Sequence, residues 1–214
     1  MPDEMPPEDV PANDMPATDD EIREKYLERA IRELNTLAHD IHGCEECPRG
    51  QLMPVLGSGH PQADIFLLKH TAMPAEVEEG VAFYGRAGTA LTKSFKRLGI
   101  DPLTVYGTVS VKCPVEPEAA AESCTARVLE ELMIVQPRVV VVMGEAALDD
   151  VNTLGMPGST PLEAKLGEIQ QWTAHCEALV TPDLDDCLDD EASKRAFWSA
   201  FKRLGEWHGE LPPY

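Results

Sequence analysis

Positive charge is scarce in this sequence. Across 214 residues, 18 Lys and Arg stand against 38 Asp and Glu, for a formal net charge of -20. Nucleic-acid affinity rests largely on Lys and Arg neutralising phosphates, so such a chain repels DNA at long range unless a basic face is set apart locally. Long apolar runs are missing as well, and none approaches the roughly 20 residues of a membrane-spanning helix. The first residues, MPDEMPPEDVPANDMPATDD, lack the basic-then-apolar order of a secretory signal, which points to a cytoplasmic protein. In that compartment the six cysteines are not expected to pair as disulfides, and those at ligand-like spacing read first as metal ligands. There are no internal repeats, which excludes a solenoid.

What remains is an ordinary globular composition, 43% hydrophobic, long enough for one sizeable core. Much of the acid lies in two blocks, 1–24 and 183–191, so Lys93, Lys96, Arg97 and Lys112 are candidates for a local basic face. The rest reads as a soluble acidic surface of the kind adapted to salt. Residues 1–17, rich in Pro, Asp and Glu, are predicted as a disordered tail, with one domain over 18–214. Thr18 to Glu21 fits a capping box, and Ile22, Tyr26, Ala30, Ile31, Leu34, Leu37, Ala38 and Ile41 follow at helical spacing. Further helices are expected over 89–98, stopped by Gly99, and over 118–135, 146–151 and 191–207. Apolar runs at 63–68, 105–111 and 139–143 read as buried strands, and 166–172 and 176–180 as two more. The stretch 48–62 and that leading to Gly88 read as loops. Strands alternating with helices argue for a parallel sheet covered on both faces.

Cys44 and Cys47 form a C-x2-C pair, a spacing that lets two thiolates from one turn reach one centre. Cys113 and Cys124, with ten residues between them, fall at a strand end and near a helix start. Four thiolates suit zinc or an iron–sulfur cubane, and ordinary buried cysteines are the third reading. Cys176 reads as a small buried apolar residue and Cys187 as a free thiol in an acidic loop.

Taken together, Cys44-Glu-Glu-Cys47, the strand at 63–68, Phe83-Tyr-Gly-Arg-Ala-Gly88, Val111-Lys-Cys113-Pro114, Cys124 and Val139-Val-Val-Val-Met-Gly144 resemble the family 4 uracil-DNA glycosylases. The resemblance covers roughly residues 37–205. It implies a three-layer α/β/α fold with a central, mostly parallel four-stranded sheet and a site at the carboxyl ends of the strands. It also implies a structural [4Fe–4S] cluster on Cys44, Cys47, Cys113 and Cys124, with zinc as the alternative. Between the last two cysteines the family carries Arg, Asn and Pro, whereas this chain has Pro-Val-Glu-Pro-Glu-Ala-Ala-Ala-Glu-Ser, which weakens phosphate contacts there.

Excising uracil requires flipping the base, stacking it on a ring, reading its edge and stabilising charge on sugar and leaving group. The resemblance places the stacking ring at Phe83 and assigns Gly85 and Arg86 to the substrate site. Three other positions depart from the family. Its Gly-Glu-Ala-Pro-Gly type motif corresponds to Lys69-His70-Thr71-Ala72-Met73, so His70, a weak candidate for catalysis, stands where the acid is expected. Its uracil-reading Asn corresponds to Val109. Its His-Pro-Ser motif corresponds to Pro182-Asp183-Leu184, without a His. Glu145, after the later strand, reads as a helix-start acid.

The expectation is therefore a monomeric iron–sulfur protein linked to DNA base-excision repair, with uracil excision impaired or absent and DNA affinity weakened by acidity. One alternative is an active hydrolase of the N-glycosidic bond of uracil or another damaged base. The other is a non-DNA module that binds a protein partner or transfers electrons.

Overall fold

Strands written almost wholly in Val, Ile, Leu and Phe set the architecture. The computed structural model describes residues 18–211, and the expected tail at 1–17 lies outside them. Strands β2 (Ile65–Lys69) and β4 (Val139–Met143) are buried at every position, as expected of strands covered on both faces of a parallel sheet. They lie between β3 (Val105–Val109) and β6 (Glu177–Thr181), and all four run parallel in the order β3-β2-β4-β6. Two short strands, β1 (Ser58–Gly59) and β5 (Ile169–Gln171), join the outer edges antiparallel. The expected four-stranded parallel sheet is thus the centre of a six-stranded one.

Alternation of side chains along the strands builds two cores. Phe66, Leu68, Val140 and Val142 face α4 (Glu122–Val135) and α5 (Glu145–Thr153). Ile65, Leu67, Val141 and Met143 face α3 (Arg86–Leu98) and α7 (Glu191–Gly209). Removing each such Val, Leu or Phe from water contributes about 1.5–3 kcal/mol before the entropy cost of ordering. The long helix α1 (Asp19–Gly43) packs outside α4. Its predicted capping box is present: Thr18 Oγ1 accepts from the Glu21 amide, and Glu21 accepts from the Thr18 amide. Only Ala30, Leu37 and Ile41 are buried on α1, while Ile22, Tyr26 and Ile31 are exposed, so the helix rests on the domain through its second half.

Several boundaries move for identifiable reasons. The helix expected from 118 starts at Glu122, because Pro117 opens a separate 3-10 turn. The strand expected over 166–172 contracts to three residues. The loops hold β1 and a short helix α2 (Pro74–Glu79), and the acidic stretch after β6 forms α6 (Leu184–Cys187). On α6, Cys187 is buried against the α3–α7 core rather than lying free in a loop. Lys112 is no part of a basic face: it is fully buried, its ammonium held by Glu131 at 2.8 Å and Thr108 at 2.7 Å.

Candidate base pocket and metal centre

The carboxyl ends of the four parallel strands bring Val109, Lys69, Met143 and Thr181 into one row, in register. Lys69 is the surprise in that row. It closes an otherwise apolar strand and is 1% exposed. A buried ammonium needs full compensation. Here Nζ donates to Glu76 Oε2 of α2 at 2.6 Å and to Asp185 Oδ2 of α6 at 2.6 Å. The ring of Phe83 lies over it, 5.4 Å from centroid to Nζ, a cation–π distance. Glu76, fully buried, also accepts from the Met73 amide at 2.6 Å and from the Phe83 amide.

These contacts hold Phe83 in a left-handed conformation, φ 59°, that a bulky residue seldom adopts. Its ring lies against Gly107 of β3, where a Cβ would stand 2.6 Å from Phe83 Cδ2. Val109 completes the wall with Val55 and Ala82, and Phe83 and Ala72 pack against that group. On the other side Asp183 caps α6, accepting from the Asp185 amide at 2.8 Å. Burial raises its carboxyl above the usual range, against that hydrogen bond.

The residues singled out in the sequence do not all meet. Phe83 and Val109 converge on Lys69. Arg86 is exposed and pairs with Asp189 Oδ1 at 2.6 Å, which holds that carboxylate below its usual range. Gly85 precedes α3 with φ +77°. His70 follows Lys69 and bonds through Nδ1 to Asp150 Oδ2 of α5 at 2.6 Å, both half-buried. Glu76 and Asp185 belong to no motif that the sequence marks, and Lys69 enters one only as the position replacing its first Gly, with no role assigned to it. The available signal is a lysine directly after four apolar strand residues.

The cysteines are closer to the expectation. The sulfurs of Cys47, Cys113 and Cys124 lie within 4.8 Å of one another, all three residues buried. Cys44, half-exposed, stands outside that trio but lines the same small cavity, beside Ile41 at the end of α1. Arg49 fixes the C-x2-C turn, donating to the carbonyls of Leu52, His42 and Cys44 at 2.5, 2.8 and 2.9 Å. Backbone amides already point at sulfur: Lys112 N–H donates to Cys124 Sγ at 3.1 Å and Ala121 N–H to Cys47 Sγ at 3.3 Å. Burial pushes the Cys113 thiol up to about 12, helped by Cys124 and Cys47. Three crowded thiols with inward amide donors form a soft donor set suited to a metal that favours thiolate.

A parallel α/β sheet with a polar site at its carboxyl ends and a cysteine trio beside it defines a class. A family model described as Uracil DNA glycosylase superfamily matches residues 56–203, and the chain belongs to that superfamily. Among curated proteins it is 30% identical over 121 residues to the type-4 uracil-DNA glycosylase of Sulfurisphaera tokodaii, covering 52% of this chain and 54% of that one. It is 28% identical over 121 residues to the type-4 enzyme of Pyrobaculum aerophilum, covering 52% and 61%. To that of Thermotoga maritima it is 29% identical over 124 residues, covering 54% and 64%. The match therefore spans less than two thirds of each of these relatives.

Proposed function

We propose that this protein is a cytoplasmic iron–sulfur member of the superfamily, linked to DNA base-excision repair, whose uracil excision is impaired or absent. One observation carries the reading: the place where a flipped base would stack on Phe83 is filled by the Lys69–Glu76–Asp185 ion cluster. Lys69 stands where the related motif begins with Gly, and Val109 offers no side-chain hydrogen bond where uracil would be read. A base entering there would have to displace a doubly paired buried ammonium. Cys47, Cys113 and Cys124, completed by Cys44, would hold a [4Fe–4S] cluster, and that cluster would supply structural tethering of α1 to the loop before α4. Uracil release from single-stranded and duplex DNA is the test. Robust release sinks the reading.

The 2.6 Å His70–Asp150 contact favours a second reading, a glycosylase using a histidine base oriented by a carboxylate. It requires measurable release that His70→Ala abolishes.

A further inference from the structure

The little positive charge this chain has is gathered in one place. Eight of its 18 Lys and Arg lie on α3 and α7, which pack side by side and carry only two acids, Glu191 and Glu206. Three of the eight are taken up by ion pairs: Arg86 with Asp189, Lys194 with Glu191, and Arg203 with Glu206. The other five, Lys93, Lys96, Arg97, Arg195 and Lys202, are exposed, and none pairs with a carboxylate among the described residues.

Helical spacing makes these five one surface. Lys93, Lys96 and Arg97 stand at i, i+3 and i+4 on α3 and so share a face. The Arg97 guanidinium lies over the half-buried Trp198 ring of α7, 5.8 Å from its centroid, and joins the two helices. Arg195 and Lys202 stand three residues before and four after Trp198, on the same side of α7. The result is a cationic face with an indole at its centre. The mouth of the sheet is the reverse: the 183–190 stretch there carries five Asp, of which Asp185 pairs with Lys69 and Asp189 with Arg86.

We propose that the α3–α7 face is a DNA-binding surface that grips the phosphate backbone along the flank of the domain, away from the acidic mouth. This rests on the DNA-repair reading above and says where such a protein would hold its nucleic acid. Unpaired cations at helical repeat suit a run of phosphates. From Arg86 at the mouth, Lys93 and Arg97 lie roughly 10–16 Å along α3 at 1.5 Å per residue. Backbone gripped there passes beside the sheet.

The test uses the full chain and a labelled 20-base-pair duplex in fluorescence anisotropy at 50 and 200 mM salt. The wild type should bind at the lower salt. The variant Lys93→Glu/Lys96→Glu/Arg97→Glu should bind at least about tenfold more weakly, with a salt slope shallower by about 2–3, near 0.9 for each phosphate no longer neutralised. A charge-matched control on α1, Arg23→Glu/Lys25→Glu/Arg32→Glu, should keep the wild-type slope. Thermal melts should show both variants fully folded at the assay temperature, with at most a small drop from the lost Arg97–Trp198 contact in one and the exposed Arg32–Glu28 pair in the other. Equal weakening in the two variants would reduce the effect to net charge and overturn the proposal. Unaltered binding in the α3 variant would overturn the surface while leaving the repair reading intact. Tighter binding to polyglutamate than to the duplex would replace DNA by an acidic polypeptide. No binding by the wild type would overturn the surface, and the uracil-release assay would then judge the repair reading separately.

Discussion

Replacing Lys69 by Met tests the pocket cluster directly. The substitution keeps the aliphatic stem and removes the ammonium, leaving Glu76 and Asp185 facing each other without a cation. Breaking a buried pair by deleting one partner costs roughly 3–5 kcal/mol, because the surviving charge is stranded. Two features favour the lower end. Glu76 keeps the amides of Met73 and Phe83, and the Asp185 side chain is 14% exposed and can turn toward water. At about 3 kcal/mol, and about 2–4 °C per kcal/mol for a domain of this size, the midpoint of thermal unfolding should fall by about 6–12 °C. Neutralising Asp185 as well, Lys69→Met/Asp185→Asn, should cost less than Lys69→Met alone, since only Glu76, which keeps its two amide donors, is then left charged. A Lys69→Met midpoint within about 2 °C of wild type would refute the cluster as a structural element. A double variant less stable than the single one would refute the account of why it matters.

Other expectations follow from single contacts. On the proposed iron–sulfur reading, protein purified without oxygen should contain iron and absorb in the visible, and Cys113→Ser should abolish both, whereas full retention of both would move the ligand set elsewhere. Gly107→Ala sets a methyl 2.6 Å from the Phe83 ring, and such overpacking should cost about 1–3 kcal/mol in denaturant unfolding. No loss would mean that the ring is not seated on β3. The Asp183 carboxyl, raised by burial, contributes stability that is complete below the unfolded value, about 3.9, and is lost as pH rises through the folded value. Asp183→Asn, which keeps the cap, should therefore gain on the wild type as pH rises above the unfolded value. A gap that does not widen contradicts the assignment.

The parallel centre is legible in the sequence because its strands are buried on both faces and written as continuous apolar runs. The start of α1 and the stop of α3 at Gly99, φ +70°, are legible because caps are local. The cysteine trio is legible through C-x2-C and through Cys113, which follows closely on β3. The pocket is not. Lys69 meets Asp185 across 116 residues of sequence, and no local pattern announces such a pair. A lysine ending a strand looks like one that reaches to solvent, which also explains why Lys112 reads as surface. Glu76 is hidden because α2 is only six residues long and lies in a stretch that reads as loop.

Lys112 gives the two halves of the molecule a physical connection. Its amide donates to Cys124 Sγ, and its ammonium donates to the Val109 carbonyl at 3.0 Å, in the wall beside Phe83. The same ammonium meets Glu131, which also accepts from Tyr106 at 3.1 Å and Thr108 at 3.2 Å. One buried residue thus ties the cysteine trio to the pocket wall, whereas Lys69 touches neither the trio nor Glu131. Perturbations that share a partner couple, by about 0.5–3 kcal/mol, and those that do not simply add. Cys113→Ser combined with Lys112→Met should therefore cost measurably less than the sum of the single losses, because loosening the cysteine loop already slackens what Lys112 holds. Cys113→Ser combined with Lys69→Met should add to within about 0.5 kcal/mol. Denaturant unfolding of the two double-mutant cycles decides the matter. Coupling in the Lys69 cycle, or strict additivity in the Lys112 cycle, would show that the pocket senses the cysteine trio by some other route.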